Sequence, residues 1–345
     1  RSELTEAARR TLNNEVLPHY LARRRWFASK GERIERVSVA YAWPIAQVDN
    51  SEEIWHCEVE VSLPGRTECY QLPVALLWDR ESTDGMPQLV HGLSMARVRR
   101  GSRVGVATDG FVLESYARAI VKAMRNGVQA ETARGVIRFQ AEPGLAAAPL
   151  EDEPVQWMSA EQSNSSLAYG NSAVLKLVRR VAGGVHPEAE MTRYLTAHGY
   201  THSAPLLGEV VRAGADGTPH TLMLLQGYIL NQGDGLDWTL DYLGRTIDDA
   251  LPSTDGQDEF DESLNGYAAM VGTLGRRLAE LHAVLAQPAE DAAFAPETAG
   301  EDQASEWANE ALHSLNEALD LLKAQRKSAT GDFASDIDML LDRSE

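Results

Sequence analysis

The sequence predicts an α+β protein in three successive parts: a helix with a small antiparallel sheet, then strands with one intervening helix, then helices alone. Three observations carry that prediction. Apolar residues alternate with a period of two at Trp55, Cys57, Val59 and Val61, and again at Tyr70, Leu72, Val74, Leu76 and Trp78, as in strands. Strand patterns return at residues 162–169 and 173–178. From Tyr267 the spacing switches to three and four, through Met270, Val271, Leu274, Leu278, Leu281 and Leu285. Ala304, Ala308, Ala311, Leu315, Leu319 and Leu322 then continue the helical stripe.

Taken in order, residues 1–22 place Leu4, Ala8, Leu12, Val16 and Leu17 on one helical face. On the first strand His56, Glu58, Glu60 and Ser62 lie opposite the apolar set. Pro64-Gly65 is a turn signal that joins the first two strands in an antiparallel hairpin, and Pro73 then needs an edge or a bulge. A helix over 109–126 takes Asp109 as its cap, turns Phe111, Val112, Tyr116, Ile120 and Met124 inward, and stops at Gly127. Residues 141–154 form a loop. The helix over 187–198 starts at Pro187 and shares one face among Met191, Tyr194, Leu195 and His198. An apolar run over 221–230 ends in the turn cluster Asn231-Gln232-Gly233-Asp234-Gly235. Residues 252–262 are a polar loop, and 337–341 begin a last short helix.

The chain has 345 residues, 43% hydrophobic and 24% charged, which suits two or three soluble domains. Its 32 Lys+Arg against 51 Asp+Glu give a net charge of −19. That balance argues against coating a nucleic-acid duplex or docking on anionic lipid, and leaves room for a local cationic pocket. Cys57 and Cys69 are too few for a disulfide scaffold or a cysteine zinc site and are expected as reduced thiols. No apolar run approaches the ~20 residues that span a bilayer. Arg1-Ser2-Glu3-Leu4 opens no signal peptide. A cytoplasmic protein is expected. Since residue 1 is not Met, the chain is expected to be processed or a piece of something longer.

Lys176 is the most informative residue for chemistry. In Ala173-Val174-Leu175-Lys176-Leu177-Val178 it shares a strand face with Val174 and Val178, so its ammonium needs anions. Two readings fit the segment: a snorkelling edge lysine, or a lysine on a nucleotide phosphate held by a carboxylate from a neighbouring helix. Glu190, in the first turn of the next helix, is read either as that carboxylate or as a simple helix-dipole residue. Ser163-Asn164-Ser165-Ser166 precedes a tight turn at Gly170-Asn171. Such small polar residues suit a turn whose amides approach phosphates, and equally an ordinary turn. Neither a Walker pattern nor G-x-G-x-x-G is present. Residues 226–229 (Gln226, Gly227, Tyr228, Ile229), where strand gives way to turn, suit an adenine slot or a plain strand end. His198 and His202 are separated by Gly199 from any shared helix, against a metal role. His282 is expected as a core histidine. The basic aromatic stretch 23–30 is expected to be an internal packing and ion-pair motif.

Together these pieces resemble the maltokinase family. The resemblance rests on Arg25-Trp26-Phe27-Ala28-Ser29-Lys30-Gly31, Glu161-Gln162-Ser163-Asn164-Ser165-Ser166, and Val174-Leu175-Lys176-Leu177 with Arg179-Arg180. It continues through Pro187-Glu188-Ala189-Glu190, Pro205-Leu206-Leu207-Gly208, Asn231-Gln232-Gly233-Asp234-Gly235 and Leu274-Gly275-Arg276-Arg277-Leu278-Ala279-Glu280-Leu281-His282, in collinear order over essentially the whole chain. The resemblance implies a protein-kinase-like bilobal fold: an N-terminal cap over 1–90, a nucleotide-binding lobe over 91–225, and the hinge and first helices of a helical lobe over 226–345. It implies ATP and Mg²⁺ as cofactors and maltose as acceptor. Trehalose synthase is implied as a fused or associated partner. Lys176 and Glu190 become the ion pair on the phosphates, Ser163, Asn164, Ser165 and Ser166 the phosphate-covering turn, and Gln226, Gly227, Tyr228 and Ile229 the hinge. The family's His-Gly-Asp catalytic loop and metal-binding Asp motif do not occur in these residues; both are expected after Glu345, so no catalytic or metal-binding residue is assigned here. Two other readings stand beside this one: a non-catalytic nucleotide- or partner-binding module, and a kinase for an amino sugar or aminoglycoside.

Overall fold

The computed structural model describes residues 6–48, 51–79, 88–158, 163–231, 233–250 and 256–343. The chain forms two compact units, 1–277 and 278–345.

The expected N-terminal helix is α1 (Glu6–Thr11) and α2 (Leu17–Leu21), joined by a π-helical turn at Leu12–Val16. Leu17, Tyr20 and Leu21 are buried. The hairpin follows: β1 (Arg36–Val48) runs antiparallel to β2 (Glu52–Leu63), which turns at Pro64-Gly65 into β3 (Arg66–Gln71). Gly65 has φ +78°, the left-handed turn conformation that glycine enters without strain. Pro73 breaks the line between β3 and β4 (Val74–Trp78), and both flank β2. The short helix α3 (Gln88–Gly92) leads to β5 (Ser94–Arg100) and β6 (Arg103–Asp109), which extend the sheet.

Asp109, expected to cap the helix over 109–126, instead caps a 3₁₀ turn at Gly110–Val112, accepting from the Phe111 amide at 3.1 Å, and the helix itself starts after Leu113. Helix α4 (Glu114–Arg125) follows, and Phe111, Tyr116, Ile120 and Met124 are buried. A second antiparallel sheet holds β7 (Gln129–Thr132), β8 (Gly135–Ala141), β9 (Val155–Met158), β10 (Ser165–Tyr169), β11 (Ala173–Leu177), β13 (Leu206–Ala213) and β14 (Pro219–Gly227), in the order β7-β8-β13-β14-β11-β10-β9. The two-residue strand β12 (Arg180–Val181) leaves this sheet and pairs with β3 of the first. Helix α5 is Pro187–Ala197.

The core explains the layering. One face of the first sheet packs Val37, Val59, Val61, Leu63, Tyr70 and Leu72 against Leu17, Tyr20, Leu21, Trp26 and Phe27. Its other face joins α4 and one face of the second sheet in a shared core, from Ile54, Ala75 and Leu77 through Tyr116 and Ile120 to Leu167, Leu175, Leu177 and Leu225. Of the 23–30 stretch, expected to be an internal packing and ion-pair motif, Trp26, Phe27 and Ser29 are buried, while Arg23, Arg25 and Lys30 are exposed. Strand β2 is covered on both sides, so His56 and Glu58 of its polar face are buried. Glu58 holds Arg212 of β13 at 3.1 Å, and His56 Nδ1 meets the Tyr116 hydroxyl at 3.1 Å.

Several expectations are corrected. Of the polar loop expected over 252–262, residues 252–255 lie outside the description and α7 (Gly256–Leu285) starts immediately after them; acidic residues early in a helix favour its N-terminus. Helix α6 (Gly235–Ala250) adds to the expected elements. His282 is exposed, because the apolar stripe it borders is itself open: Val271, Leu274 and Leu278 are all exposed. On α5 the inward residues are Ala189, Thr192 and Leu195, with Tyr194; Met191 is exposed. The second unit holds α8 (Glu301–Arg326) and α9 (Asp332–Asp342), clipped by Arg326–Asp338 at 2.6 Å over buried Ala334 and Ile337.

Two measurements check this packing. Glu58→Gln strands the Arg212 charge in the core and should cost roughly 3–5 kcal/mol in urea unfolding, whereas the double variant Glu58→Leu/Arg212→Met should recover most of it. Burial, with the Arg179 charge second, pushes the His56 imidazole down to about 3, so it stays neutral when folded. The unfolded chain protonates near 6.5. Stability present above that pH is therefore lost as pH falls toward 3, by up to about 1.4 kcal/mol per pH unit. His56→Gln should lack this slope between pH 6.5 and 5.

Candidate nucleotide-binding site

Strand β11 lies between β10 and β14, so Lys176 faces Ser166 on one neighbour and Leu224 on the other. Alternation puts Ser166, Ala168, Val174, Lys176, Leu224 and Gln226 on one face, away from the core shared with α4. Helix α5 covers this face: Ala189 packs with Leu206 and Leu224, and Gln226 donates to the Thr192 hydroxyl at 3.4 Å. Lys176 is therefore an inner-strand residue and no edge lysine. Its side chain keeps 19% of its surface, and its ammonium donates to both carboxylate oxygens of Glu188 at 3.1 and 3.2 Å.

The expected partner was Glu190, and the structure puts Glu188 there instead. Positions two apart differ by about 200° around a helix, so the two glutamates point nearly opposite ways. Glu188 lies one turn before Thr192 and two before Leu195, on the stripe that meets the sheet. The small buried residues Ala189 and Thr192 were the signal in the sequence that could have selected residue 188.

The serine–asparagine turn divides by face. Glu161 and Gln162, quoted for the resemblance, lie outside the described residues. Ser163 is exposed at the bend. Ser166 is fully buried on the Lys176 face, and its hydroxyl has no hydrogen-bond partner among the described residues. Asn164 and Ser165 are held from behind. The Asn164 side-chain oxygen accepts from the Arg179 amide at 3.3 Å, and the Ser165 hydroxyl accepts from Arg179 Nε at 2.8 Å. Gly170, expected at the tight turn, has φ +49°, and a Cβ there would collide with the Glu153 carboxylate.

At the other end of the sheet face, the Gly227 and Tyr228 amides already donate to the carbonyls of Pro205 and Ser172, at 2.8 and 3.0 Å. A base docking there would have to use other groups of the segment. Gln226, Gly227 and Tyr228 are half-buried and Ile229 is exposed, so the segment passes from the sheet to the surface. His198 stacks on Tyr194 with centroids 3.9 Å apart, as a structural histidine does. Among the described residues no three His, Cys, Asp or Glu side chains converge on a metal position. A separate cavity of about 430 Å³, lined by Cys69, Arg134, Arg212 and His220 among others, lies toward the far ends of β13 and β14.

Behind the turn sits a group that the sequence reading did not single out. Arg179 and Asp109 are both 0% exposed and pair at 2.8 Å. The Arg179 guanidinium lies 4.7 Å from the Trp26 ring centre and 5.5 Å from that of Phe111, and donates to the Gln71 carbonyl at 3.4 Å. Tyr20 donates to the same Asp109 oxygen at 3.3 Å; burial, and next the Asp109 charge, push its phenol well above the usual range. Gln71 spans the sheets, donating to the carbonyls of Val178 and Leu222 at 2.7 and 2.9 Å.

A lysine on an inner strand of an antiparallel sheet is thus clasped by a glutamate from the following helix, and a helix and sheet of its own precede this arrangement in the chain. Within that preceding region, residues 20–111 match a family model described as the maltokinase N-terminal cap domain. Among solved structures, a glucosamine kinase in complex with glucosamine, ADP and inorganic phosphate aligns over 94% of this chain at 18% identity and a TM-score of 0.49. A glucosamine kinase in crystal form A aligns over 96% at 19% identity, also with a TM-score of 0.49. The chain spans 62% of the length of each. No helix among the described residues is long and apolar enough to cross a membrane.

Proposed function

We propose that this chain supplies the nucleotide-binding half of an ATP-dependent sugar kinase that converts maltose to maltose 1-phosphate. The observation that carries the reading is the Lys176–Glu188 pair on an inner strand, in a chain that bears a maltokinase cap. In the transfer, the bond from the γ-phosphorus of ATP to the bridging oxygen of ADP breaks. A bond to the anomeric oxygen of maltose forms, and the hydroxyl proton passes to a general base. Catalysis of this kind is positioning plus charge stabilisation. Glu188 orients the Lys176 ammonium, which takes the α/β-phosphates, and the exposed bend at Ser163 covers them.

The residues present suit such a ligand. The lysine retains exposure, and the orphaned Ser166 hydroxyl sits opposite it on the same sheet face. Mg²⁺ bound with the nucleotide offsets phosphate charge, and no ligand to it and no general base is assigned to these residues. Work on maltose in α-glucan metabolism, a cytoplasmic setting and fusion or association with trehalose synthase belong to the same proposal.

Calorimetric titration with ATP tests the site. Lys176→Ala should lose measurable binding. Glu188→Gln should weaken it about tenfold or more, the worth of a hydrogen bond to a charged group, and Glu190→Gln should stay within about twofold by the same measure. Wild-type ATP affinity in Lys176→Ala would overturn the assignment. For the acceptor, the kinase whose nucleotide-binding half this chain is proposed to be should phosphorylate maltose in preference to glucosamine and aminoglycosides; selective turnover of another acceptor would replace maltose.

A further inference from the structure

We propose that Arg193 and Glu209 are positioning residues for the nucleotide site: their ion pair locks the roll of α5 on the sheet and so keeps Glu188 against Lys176; this rests on the nucleotide reading above. The lock lies along one cross-strand row. Lys176 of β11 and Glu209 of β13 both stand opposite Leu224 of β14, on the face that α5 covers. Neighbouring strands lie about 4.8 Å apart, so about 10 Å separates the cation from the anion, with an apolar residue between them. Ala189 of α5 packs on that residue. To one side of it Glu188 reaches Lys176 at 3.1 Å, and to the other Arg193 reaches Glu209 at 2.6 Å. The charges are crossed: where the sheet offers a cation the helix brings an anion, and where the sheet offers an anion the helix brings a cation.

Helical geometry explains the use of two pairs. At about 100° per residue, Glu188 and Arg193 lie about 140° apart around α5, with Ala189, Thr192 and Thr196 between them. Those three small residues form the floor of the helix: Gln226 donates to the Thr192 hydroxyl, and the Leu206 amide donates to that of Thr196 at 3.2 Å. Contacts along the floor lie close to the line about which the helix would rock, so they resist a roll poorly. Ion pairs on both flanks resist it in either direction. Glu209 is 7% exposed; burial pushes its carboxyl up, and the Arg193 charge pulls it back, so the acid holds Arg193 as its counter-charge. Glu142, 3.8 Å from Arg193 Nε, adds a second acid on that flank. The Arg193 side chain keeps 41% of its surface, so the pair can be broken from the helix side without opening the core.

The test uses the 345-residue chain and titrations with ATP and with adenosine. Glu209→Gln keeps the shape and removes the anion. Arg193→Met removes the cation from the more exposed side and serves where the first variant does not fold. Each should weaken ATP binding roughly fivefold, the upper end for a partly exposed ion pair, with adenosine affinity within about twofold of wild type. In a Glu188→Gln background the same substitutions should cost less than about twofold, because the residue through which they act is already disabled. Arg193→Lys, which keeps the charge, should bind ATP more tightly than Arg193→Met. Equal losses with and without Glu188 would make the pair a general packing contact and overturn the proposal, as would wild-type ATP affinity in folded Glu209→Gln and Arg193→Met proteins. Failure of the wild-type chain to bind ATP would instead strike the nucleotide reading itself.

Discussion

A guanidinium with no solvent contact is the constraint around which the first unit is organised. Taking an ion from water costs several kcal/mol even after relaxation, and attraction to one carboxylate repays that only when the remaining donors are also met. Arg179 meets the condition with Asp109, the Ser165 hydroxyl, the Gln71 carbonyl and the faces of Trp26 and Phe111. These partners come from the cap helix region, the first sheet, the turn into α4 and the second sheet. Each element must be in register for the charge to be tolerated, so the pair contributes more to specificity of arrangement than to net stability. A second buried pair, Glu58 with Arg212, repeats the logic between β2 and β13.

With both staples in place, the sheet that bears Lys176 has one face committed to the core and the other left for the proposed nucleotide site. The committed face packs on α4 and shares its core with the cap sheet. The other is covered by α5 along Ala189 and Thr192, with Lys176 and Glu188 left partly exposed beside them. The division follows from strand alternation alone: Leu175 and Leu177 point into the core, and Lys176 between them must point away.

Much of this was legible in the sequence wherever one periodicity ruled. Tyr116, Ile120 and Met124 were readable as the inward face of α4, and Lys176 as a lysine in apolar β-structure, because local spacing decides such features. The resemblance to the maltokinase family is met over residues 20–111, which match its N-terminal cap domain. What was not legible depended on a second layer. His56 and Glu58 alternate with apolar residues as solvent-facing positions do, and only the arrival of α4 and β13 buries them. Arg179 follows a strand as an ordinary surface arginine would; nothing local announces that Asp109, seventy residues away, will meet it. Glu188 and Glu190 both lie in the first turn of α5, and only the helix face separates them.

The double coverage of β2 bears on how freely the cap can be exchanged among proteins. A domain attached by a linker can be moved whole, because its surface is complete without its host. Here the first sheet borrows a strand from beyond the second sheet's central hairpin, where Arg180–Val181 lies along β3, and its inner face carries acids whose counter-charges are encoded 70 to more than 150 residues away. Grafted onto a foreign lobe, it would bring unanswered carboxylates and a bare sheet edge. Inheritance of such a cap is therefore tied to inheritance of the lobe beneath it, and the two are expected to diverge together, substitution matched by substitution across the seam.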